Sequence, residues 1–465
     1  MECRIDNQRI ELPAALIAKY DRPGPRYTSY PTAPAWQAPF DAADYAQALK
    51  ESNTTARPLS LYVHLPFCEA HCTFCGCNVI ITKKKALADE YLSDLEREIA
   101  IVAGGVDRGR PVVQLHWGGG TPTYLSPAQL SRLMAILRRH FALANDAEIG
   151  VEVDPRVTTN EQVAVLRELG FNRISMGIQD FHPAVQEAIN RIQPVEMTSM
   201  LIDACRAARF ASINVDLIYG LPHQTLERFA ATLDAVIGLK PDRIALYNFA
   251  FVPWLKAQQR RIDPSTLPAP ATKLALLLHG IDAFGTAGYA YIGMDHFARP
   301  TDELARARAV RTLWRNFQGY TTKAGTDLIA FGITGIGDVA GRYAQNVKTL
   351  AAYRRALAAG EMPIERGCKL TQDDLLRRVV IRELLCNNYL AVADCNAAFG
   401  IDFAEYFRTE LEALRPLSDD GLVTCTEATI KVTVLGRLFA RNIAMVFDRY
   451  LSATSNGRPL YSRTI

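Results

Sequence analysis

The sequence predicts an α/β protein built around a parallel sheet, either open or curled into part of a barrel. Two observations in the middle of the chain support this fold class. Six short segments are rich in β-branched and aromatic residues, which favour strands. Each of them is followed by a segment whose apolar residues recur with the period of a helix. Successive βα units of this kind form parallel sheets, which bind their ligands at the carboxyl ends of the strands.

The six predicted strands alternate with helices that carry clear signals of their own. The strands cover residues 59–65, 112–117, 148–154, 172–179, 212–220 and 242–251. The helix after the first strand has one apolar stripe, formed by Leu92, Leu95, Ile99 and Val102. The next helix begins with the capping-box pattern Ser126-Pro127-x-Gln129. We therefore expect six consecutive βα units.

The two ends of the chain depart from this pattern. Prolines and glycines interrupt the run DRPGPRYTSYPTAPAW, so residues 1–58 are predicted to form an extended N-terminal arm. Near the other end the pattern reads as helix, hairpin, helix, which is typical of a winged-helix-like module. The predicted domains are thus an N-terminal arm (1–58), a catalytic barrel with its extension (59–362) and a mostly helical C-terminal domain (363–465).

The composition argues against several functional classes. The chain has 52 basic and 49 acidic residues and a formal net charge of +3, which does not indicate nucleic acid as a partner. It contains no run of about 18 apolar residues, so no membrane span is predicted. Most of the cysteines outside residues 68–77 are scattered singly, which suits a reducing compartment better than a disulfide framework. We expect a cytoplasmic protein.

Three cysteines with C-x3-C-x2-C spacing, Cys68, Cys72 and Cys75, follow the first strand. Three thiolates on one tight loop suit a cubane iron–sulfur cluster, in which they hold three of the four irons and leave the fourth open. Zinc fits less well, because a structural zinc site needs four ligands, usually on paired knuckles, although His71 could serve as a fourth. Cys77 could be a fourth ligand, a spare thiol or a structural residue. We favour the last two roles, since a fully ligated cluster could only pass electrons.

Polar or glycine-rich residues stand at the ends of the predicted strands. They are Gly118-Gly119-Gly120-Thr121-Pro122, Glu152 with Asp154, Gln179-Asp180, Asp216 and Tyr247-Asn248. Any one of them could simply end a strand or cap a helix. Because the carboxyl ends of parallel strands lie at one edge of a sheet, the whole set indicates a single site.

The open iron and this strand edge suggest one ligand. The amine and carboxylate of an amino acid can chelate the open iron, and a glycine run lets the backbone approach the rest of the molecule closely. Glu152 could hold a pair of ribose hydroxyls, as carboxylates at strand ends do in nucleotide sites. These features describe S-adenosylmethionine, which releases a carbon radical when one electron cleaves its C–S bond.

Motifs along most of the chain carry a family resemblance. They are SLYVHLPFCEAHCTFCGCN, LHWGGGTPTYL, VEVDPR, NRISMGIQDF, NVDLIYGLPHQT, GMDHFARPTDELA, NFQGYTT and PRYTSYPTA. From about residue 20 to the C-terminus, the sequence resembles the oxygen-independent coproporphyrinogen III oxidases, a radical S-adenosylmethionine family of haem biosynthesis. The resemblance implies a three-quarter (β/α)6 barrel with an N-terminal extension and a helical C-terminal domain.

The resemblance also implies a reaction and its partners. The family converts the propionates on rings A and B of coproporphyrinogen III to vinyls, which gives protoporphyrinogen IX. A 5′-deoxyadenosyl radical takes a hydrogen from the propionate β-carbon, and the substrate radical then loses carbon dioxide and gives one electron to an acceptor that the sequence does not name. An electron donor such as flavodoxin or ferredoxin is expected, as is a monomeric enzyme.

Site residues follow from the same resemblance. Cys68, Cys72 and Cys75 would ligate a [4Fe–4S] cluster. The cofactor on the cluster would be contacted by Tyr62, which is also the expected catalytic residue, and by Phe74, Gly119 and Glu152. A second S-adenosylmethionine, acting as cofactor or as a stand-in for substrate, would be contacted by Gly120, Thr121, Gln179, Arg191, Asp216, Ala250 and Ile336.

Two points concern the substrate. It carries four carboxylates, so Arg26, Arg191 and Arg299 are candidates to pair with them. After the sixth strand the family usually reads Tyr-Ala-His-x-Pro, whereas this chain has Phe249-Ala250-Phe251-Val252-Pro253 without the histidine. The apolar replacement could alter contacts with substrate.

Two other functional classes stay in view. A haem-binding chaperone of the same superfamily shares the cysteine loop without the decarboxylase activity, but it lacks the PRYTSYPTA arm and the Gly76-Cys77 step. An electron carrier of the ferredoxin kind would use Cys77 as the fourth ligand and would need neither the glycine run nor Glu152. The sequence favours the enzyme over both.

Overall fold

The computed structural model describes residues 2–6, 8–451 and 461–464. The chain forms two compact units. The first, which we call the barrel unit, comprises Ala38–Ala269 and Gly325–Lys369. The second, which we call the composite unit, comprises Met1–Gln37, Pro270–Ala324 and Leu370–Ile465. The division into an arm, a barrel and a C-terminal domain concerns sequence segments and stays a prediction.

The described residues form short and long elements of both types. The strands are β1 (Glu2–Ile5), β2 (Gln8–Glu11), β3 (Leu59–Leu65), β4 (Phe67–Cys68), β5 (Ile80–Ile81), β6 (Pro111–Gly119), β7 (Ala142–Val153), β8 (Arg173–Gln179), β9 (Ser212–Tyr219), β10 (Arg243–Asn248), β11 (Ala290–Gly293), β12 (His296–Ala298), β13 (Trp314–Asn316), β14 (Gly319–Thr321), β15 (Asp327–Phe331), β16 (Ile336–Val339), β17 (Arg342–Asn346), β18 (Ile364–Lys369), β19 (Tyr389–Ala391), β20 (Val423–Cys425) and β21 (Thr429–Val432). The helices are α1 (Ala14–Tyr20), α2 (Ala42–Ser52), α3 (Ala86–Ala103), α4 (Pro127–His140), α5 (Asn160–Glu168), α6 (Pro183–Ala188), α7 (Val195–Ala207), α8 (Leu226–Leu239), α9 (Pro270–Thr286), α10 (Glu303–Ala309), α11 (Leu350–Ala358), α12 (Gln372–Cys386), α13 (Val392–Phe399), α14 (Phe403–Tyr406), α15 (Arg408–Asp419) and α16 (Ala440–Met445). Short 3-10 helices lie at Ala33–Ala35, Pro122–Tyr124, Ala257–Arg261, Pro264–Thr266 and Leu435–Phe439.

The barrel unit contains the parallel sheet that the sequence predicts. Its strand order is β10-β9-β8-β7-β6-β3-β15-β16-β17-β18. The strands from β10 to β3 are parallel to their neighbours and correspond to the six predicted strands. A helix follows each of them along the chain. The prediction of six consecutive βα units is therefore confirmed.

Further strands extend this sheet beyond the predicted six. β15 is parallel to β3, with Asp327 opposite Leu59. β16, β17 and β18 then continue in antiparallel fashion. These strands are short and lie in a segment without strong periodicity, so the sequence does not reveal them.

Burial follows the predicted patterns. Every residue of β3 is buried except Tyr62, which is half-buried, as expected for a parallel strand covered by helices on both faces. The apolar stripe of α3 is at most 2% exposed. The capping box of α4 is also present. The Ser126 side chain accepts from the backbone N–H of Gln129, and the Gln129 side chain accepts from the backbone N–H of Ser126.

The composite unit contains both ends of the chain. Its C-terminal segment has a sheet of order β19-β21-β20, in which β20 and β21 form the predicted hairpin, with α12 before it and α16 after it. The N-terminal segment differs from the predicted extended arm, since it carries the hairpin β1–β2 and the helix α1. Its longest stretch without a helix or strand is residues 21–32, where prolines and glycines cluster and one bridge joins Pro23 to Arg463.

Among the described helices, not one combines the length with the hydropathy of a transmembrane segment.

Candidate active site

Of the three predicted cysteine ligands, Cys68 ends β4, and Cys72 and Cys75 lie on the loop between β4 and β5, which backbone hydrogen bonds hold from several sides. The Ile80 N–H donates to the Pro66 carbonyl over 2.7 Å, and the Thr82 N–H donates to the Cys68 carbonyl over 3.0 Å. In the middle of the loop, the Thr73 N–H donates to the Ile189 carbonyl over 3.0 Å. The loop is therefore held in place although it has little regular structure.

Most predicted site residues meet in one cavity of the barrel unit. Those that line it are Cys68, Cys72, Phe74, Cys75, Gly119, Gly120, Thr121, Glu152, Gln179, Arg191 and Asp216. Tyr62, Ala250 and Ile336 are not among the residues that line it. The cavity joins the cysteine loop to the carboxyl ends of β6, β7, β8 and β9, as expected for a parallel α/β sheet.

The glycine run at the end of β6 is required by close packing. A Cβ on Gly118 would lie 2.7 Å from the Glu152 carboxyl carbon, and one on Gly120 would lie 2.6 Å from the backbone carbon of Pro66. Gly119 has a φ of +112°, which disfavours any residue with a side chain. This run therefore lets the strand end approach both the cysteine loop and the β7 carboxylate.

Glu152 lies at the end of β7 in a polar setting. Its Oε2 accepts from the Gly119 N–H over 3.1 Å, and its Oε1 lies 3.2 Å from His116 Nε2. Burial raises the pKa of Glu152, but the hydrogen bond and charge of His116 outweigh it, so the net pKa is below the ordinary value. Glu152 is thus ionised at neutral pH and can accept further hydrogen bonds.

Two arginines and one aspartate surround Cys72. Asp154 pairs with Arg156 at 2.6 Å and with Arg191 at 3.0 Å. Burial raises the pKa of Asp154, but the charges of the two guanidinium groups bring it below its ordinary value. Arg156 Nη2 lies 3.5 Å and Arg191 Nη1 lies 3.8 Å from the Cys72 sulfur, so both arginines can donate to it.

Comparisons with known proteins place this geometry in a family. A family model described as the radical SAM superfamily matches residues 62–236, and one described as the HemN C-terminal domain matches residues 370–439. An oxygen-independent coproporphyrinogen III oxidase from Synechocystis sp. is 49% identical over 460 residues, which cover 98% of each chain. The one from Pseudomonas aeruginosa is 46% identical over 97% of this chain and 98% of its own. The chain belongs to the oxygen-independent coproporphyrinogen III oxidase family.

A solved structure agrees with this membership. The coproporphyrinogen III oxidase of Escherichia coli, described as a radical SAM enzyme, has a TM-score of 0.91 and 47% identity, and the match covers 96% of this chain and 100% of that one. The match confirms the predicted partial radical-SAM barrel with its N-terminal extension and helical C-terminal domain. Membership in the family also implies a [4Fe–4S] cluster and S-adenosylmethionine.

The donor set around the loop fits such a cluster. All ten cysteines are free thiols. Within residues 2–6, 8–451 and 461–464, no three His, Cys, Asp or Glu side chains are grouped to bind one metal ion. A cubane does not need such a group, because each thiolate binds a different iron. The Thr121 hydroxyl also lies 3.4 Å from the Cys68 sulfur, so the oxidase loop offers polar contacts to two of the three thiolates.

Cys77 lines the same cavity and is exposed to solvent. A hydrogen bond from Cys77 lowers the pKa of Cys75 below its ordinary value, which favours the thiolate at that predicted ligand. The sequence favours a spare or structural role for Cys77 over that of a fourth ligand, and this role stays a prediction.

The residues predicted to contact a second cofactor include a buried carboxyl group, that of Asp216. Burial, together with the charge of Glu152, raises the pKa of Asp216 to about 7. Its carboxylate accepts from Asn214 Nδ2 over 2.9 Å. The amide oxygen of Gln179 is buried and accepts no hydrogen bond from any residue that the structure describes.

The three predicted cofactor contacts outside the cavity lining have other surroundings. The Tyr62 hydroxyl lies 3.1 Å from His64 Nδ1, and its ring stacks on that of His116 with centroids 6.1 Å apart. The Ala250 carbonyl accepts from Gln259 Nε2 over 3.1 Å. Ile336 begins β16 and is half-buried.

Sequence reasoning missed several residues that support the site. His116 and Arg156 contact the predicted ligands, and Gln258 and Gln259 donate to the Cys75 and Phe74 carbonyls of the loop. The position of His116 in its strand could have indicated it, because His116 on β6 lies opposite the predicted residue Tyr62 on β3. No local signal marks the two glutamines, which reach the loop from a distant segment.

Phe251, which stands where the family usually has a histidine, has a packing role. Phe251 packs on an apolar cluster that includes Phe249 and Ile262, and Phe74 of the cysteine loop packs on the same cluster. The apolar side chain therefore adds to the packing beneath the loop.

Proposed function

We propose that this chain converts coproporphyrinogen III to protoporphyrinogen IX by oxidative decarboxylation of the propionates on rings A and B, in anaerobic haem biosynthesis. The observation that carries the proposal is the single cavity that joins the three-cysteine loop, the glycine run after β6 and the carboxylate of Glu152. Similarity to named coproporphyrinogen III oxidases over nearly the whole chain supports the choice of substrate.

The chain's own groups would bind and orient the cofactors. The thiolates that would hold the [4Fe–4S] cluster are those of Cys68, Cys72 and Cys75. The residues that would contact S-adenosylmethionine on the cluster are Tyr62, Phe74, Gly119 and Glu152, with Tyr62 as the catalytic residue. When bound together, the cluster and S-adenosylmethionine supply a 5′-deoxyadenosyl radical. The ionised Glu152 is suited to accept from ribose hydroxyls, while the glycine run leaves room for backbone contacts.

A second molecule of S-adenosylmethionine is part of the proposal. The residues that would contact it are Gly120, Thr121, Gln179, Arg191, Asp216, Ala250 and Ile336. Five of these line the cavity, and the unsatisfied amide oxygen of Gln179 offers an acceptor for a ligand. Calorimetric titration of the cluster-loaded protein would give the number bound, one or two per chain.

We also propose that the enzyme works as a monomer in the cytoplasm and takes its electron from a carrier such as flavodoxin or ferredoxin. The ten free cysteines support a reducing compartment.

An anaerobic product assay tests the activity. Protein with a reconstituted cluster is incubated with reductant, S-adenosylmethionine and coproporphyrinogen III, and tetrapyrroles are separated after oxidation. Protoporphyrin is the expected product. If methionine and deoxyadenosine form while the tetrapyrrole is unchanged, the proposal fails and the chaperone or another radical reaction gains.

Cysteine variants provide the matched controls. Cys68→Ser, Cys72→Ser and Cys75→Ser should each abolish decarboxylation and lose the cluster absorbance. Cys77→Ser should keep a cluster whose electron paramagnetic resonance spectrum still changes on addition of S-adenosylmethionine. Loss of that change in Cys77→Ser would assign Cys77 to the cluster instead.

A further inference from the structure

A group of side chains beside the cysteine loop, on the segment after β10, faces solvent rather than the cavity. We call it the loop-side patch, and its members are Trp254, Leu255, Lys256, Arg260 and Arg261, all in the barrel unit. Trp254 is 41% exposed and Leu255 is 65% exposed, while the two arginines are also exposed. Exposed aromatic and apolar side chains among arginines are typical of surfaces that bind another protein.

Hydrogen bonds fix the segment of the patch on the loop that carries the predicted cluster ligands. Arg261 Nη2 donates to the His71 carbonyl over 3.2 Å, and His71 directly precedes Cys72. Gln258 of the same segment donates to the Cys75 carbonyl. A protein that binds to the patch therefore lies beside the backbone of two of the three predicted ligands.

The patch is positively charged, and its cations are not neutralised. Lys256, Arg260 and Arg261 form no ion pair with any residue that the structure describes. Burial, together with the charges of Arg261 and Lys256, lowers the pKa of His71, so both cations lie close to the loop.

The carboxylates near the patch are already engaged. Glu69 is the acidic residue of the loop from Cys68 to Cys77, and it pairs with Lys85 at 2.8 Å. Asp263, which follows the patch, accepts from the Ser265 N–H over 2.9 Å and caps the 3-10 helix there. The surface beside the loop therefore favours a partner with negative charge.

The proposed function gives such a partner a task. One electron must reach the cluster before S-adenosylmethionine can be cleaved, and it must enter beside the loop that would hold the cluster. Electron-transfer complexes use small interfaces and form for a short time, and complementary charge speeds their formation. The patch has the position and the charge that this contact needs.

We propose that the loop-side patch is the docking surface for an acidic one-electron carrier protein. The carrier is oxidised by one electron, the cluster is reduced by that electron, and no atom passes between the two proteins. Lys256 and Arg260 attract the carrier, while Trp254 and Leu255 supply the apolar contact. This inference rests on the proposed function, which requires a carrier.

Anaerobic stopped-flow mixing of reduced flavodoxin, an acidic carrier, with the cluster-loaded full chain tests the surface. The flavin absorbance gives the second-order rate constant for wild type and for the double variant Lys256→Gln/Arg260→Gln. We expect the variant to react about tenfold more slowly at low ionic strength, because electrostatic attraction speeds the encounter. The difference should vanish as salt is raised.

The double variant Arg57→Gln/Arg108→Gln is the matched control. Both arginines are exposed and stand just before β3 and β6, at the opposite ends of these strands from the cysteine loop and the glycine run. This variant loses the same net charge and should react like wild type. Equal slowing of both variants, or of neither, overturns the docking surface.

Photoreduction with deazaflavin separates docking from an effect on the cluster itself, because this small reductant needs no docking surface. The electron paramagnetic resonance signal of the reduced cluster should be the same in wild type and in both double variants. A weaker signal in Lys256→Gln/Arg260→Gln alone would show that the two cations tune the cluster, and it would overturn the proposal.

If that variant does not hold a cluster, Leu255→Ser takes its place. The side chain of Leu255 is largely exposed, so thermal unfolding should match wild type. Because apolar contact with the carrier is lost, its reduction rate should saturate at a higher flavodoxin concentration. An unchanged concentration dependence would contradict docking here.

These outcomes are distinct from those that test the activity, because cluster reduction is measured without coproporphyrinogen III. If reduction depends on the patch but the product assay leaves the tetrapyrrole unchanged, the surface stands and the proposed function falls. If wild type decarboxylates with a chemical reductant while patch variants accept electrons at the wild-type rate, the function stands and the surface falls. A dimer on sedimentation that the patch variant abolishes, with an unchanged rate, assigns the surface to a second copy of the chain instead.

Discussion

Arg156 sets the local charge at one of the three predicted cluster ligands. Its guanidinium is held by Asp154 over 2.6 Å and lies 3.5 Å from the Cys72 sulfur. Hydrogen bonds to the sulfurs and nearby positive charge stabilise the reduced form of an iron–sulfur cluster. Burial lowers the pKa of Arg156, but the hydrogen bond and charge of Asp154 raise it above the ordinary value, so the charge persists at any working pH.

The first prediction concerns the ease of cluster reduction. In Arg156→Gln the cationic donor is lost, and we expect the equilibrium constant for one-electron reduction to fall about tenfold, or about 59 mV. A redox titration followed by electron paramagnetic resonance measures it. Arg139→Gln, which removes only an exposed ion pair with Glu96, is the control. An unchanged potential in Arg156→Gln would show that this arginine serves only to hold Asp154.

At the scale of elements, the end of β6 must approach the segment after β3. The Gly120 N–H donates to the Leu65 carbonyl over 2.8 Å, and there is no space for a Cβ beside Pro66. The second prediction is that Gly120→Ala destabilises the protein by about 1–3 kcal/mol, because the backbone itself must shift. Urea unfolding measures it.

A second glycine gives the control for that change. Gly238 lies in α8, and a Cβ there would meet no atom within 4 Å. Gly238→Ala should raise the free energy of unfolding by about 0.5–1 kcal/mol through helix propensity. Similar destabilisation by both variants would contradict the packing argument.

A buried carboxylate connects α3 to the extension of the sheet. Glu98 accepts from the Gly332 N–H over 2.7 Å, from Asn346 Nδ2 over 2.6 Å and from the Tyr353 hydroxyl. Burial raises the pKa of Glu98 from 4.5 to about 7, although these hydrogen bonds oppose the shift. The helix is thereby tied to the β15–β16 turn, to β17 and to α11.

The third prediction follows from that raised pKa. Between about pH 4.5 and 7 the folded protein keeps a proton on Glu98 that the unfolded chain has lost. The contribution of Glu98 to stability is therefore largest below this window and falls by about 3 kcal/mol as pH rises through it. Urea unfolding of wild type and Glu98→Gln across the window measures the difference. If both show the same slope with pH, Glu98 does not hold the proton.

At the scale of the whole molecule, the composite unit is built from three segments that are far apart in the sequence. Asn442 Nδ2 donates to the Tyr20 carbonyl over 2.7 Å, and the Tyr27 hydroxyl donates to Asp448 over 2.9 Å. The Tyr20 ring meets that of Phe439 edge-on at 5.7 Å. The part of the N-terminal segment around Tyr20 and Tyr27 thus packs on the C-terminal segment.

The fourth prediction concerns this dependence. Truncation after Lys369 removes the partners of Tyr20 and Tyr27, and we expect proteases to cut residues 20–32 at least about tenfold faster than in the full chain, because local opening becomes easy. Mass spectrometry of limited digests locates the cuts. The full chain digested in parallel is the control, and equal protection of residues 20–32 in both would show that this segment packs independently.

The predictable features of this protein depend on local patterns. The six strands follow from runs of β-branched and aromatic residues, the start of α4 from Ser126 and Gln129, and the cluster loop from the spacing of its cysteines. The strands β15 to β18 escaped prediction because they are short and are stabilised by pairing. β15 pairs with β3, which lies far from it in the sequence, and β16 to β18 extend the sheet from β15.

The sequence by itself determined the βα order, the three-cysteine loop and the family, because periodicity and motif spacing involve residues close together in the chain. Only the tertiary structure decided which charges are neutralised. Arg26 and Arg191 have carboxylate partners from elsewhere in the chain, whereas Arg315 has none among the described residues. Ion pairs form between residues remote in sequence, so the order of residues alone cannot reveal which guanidinium has a carboxylate partner.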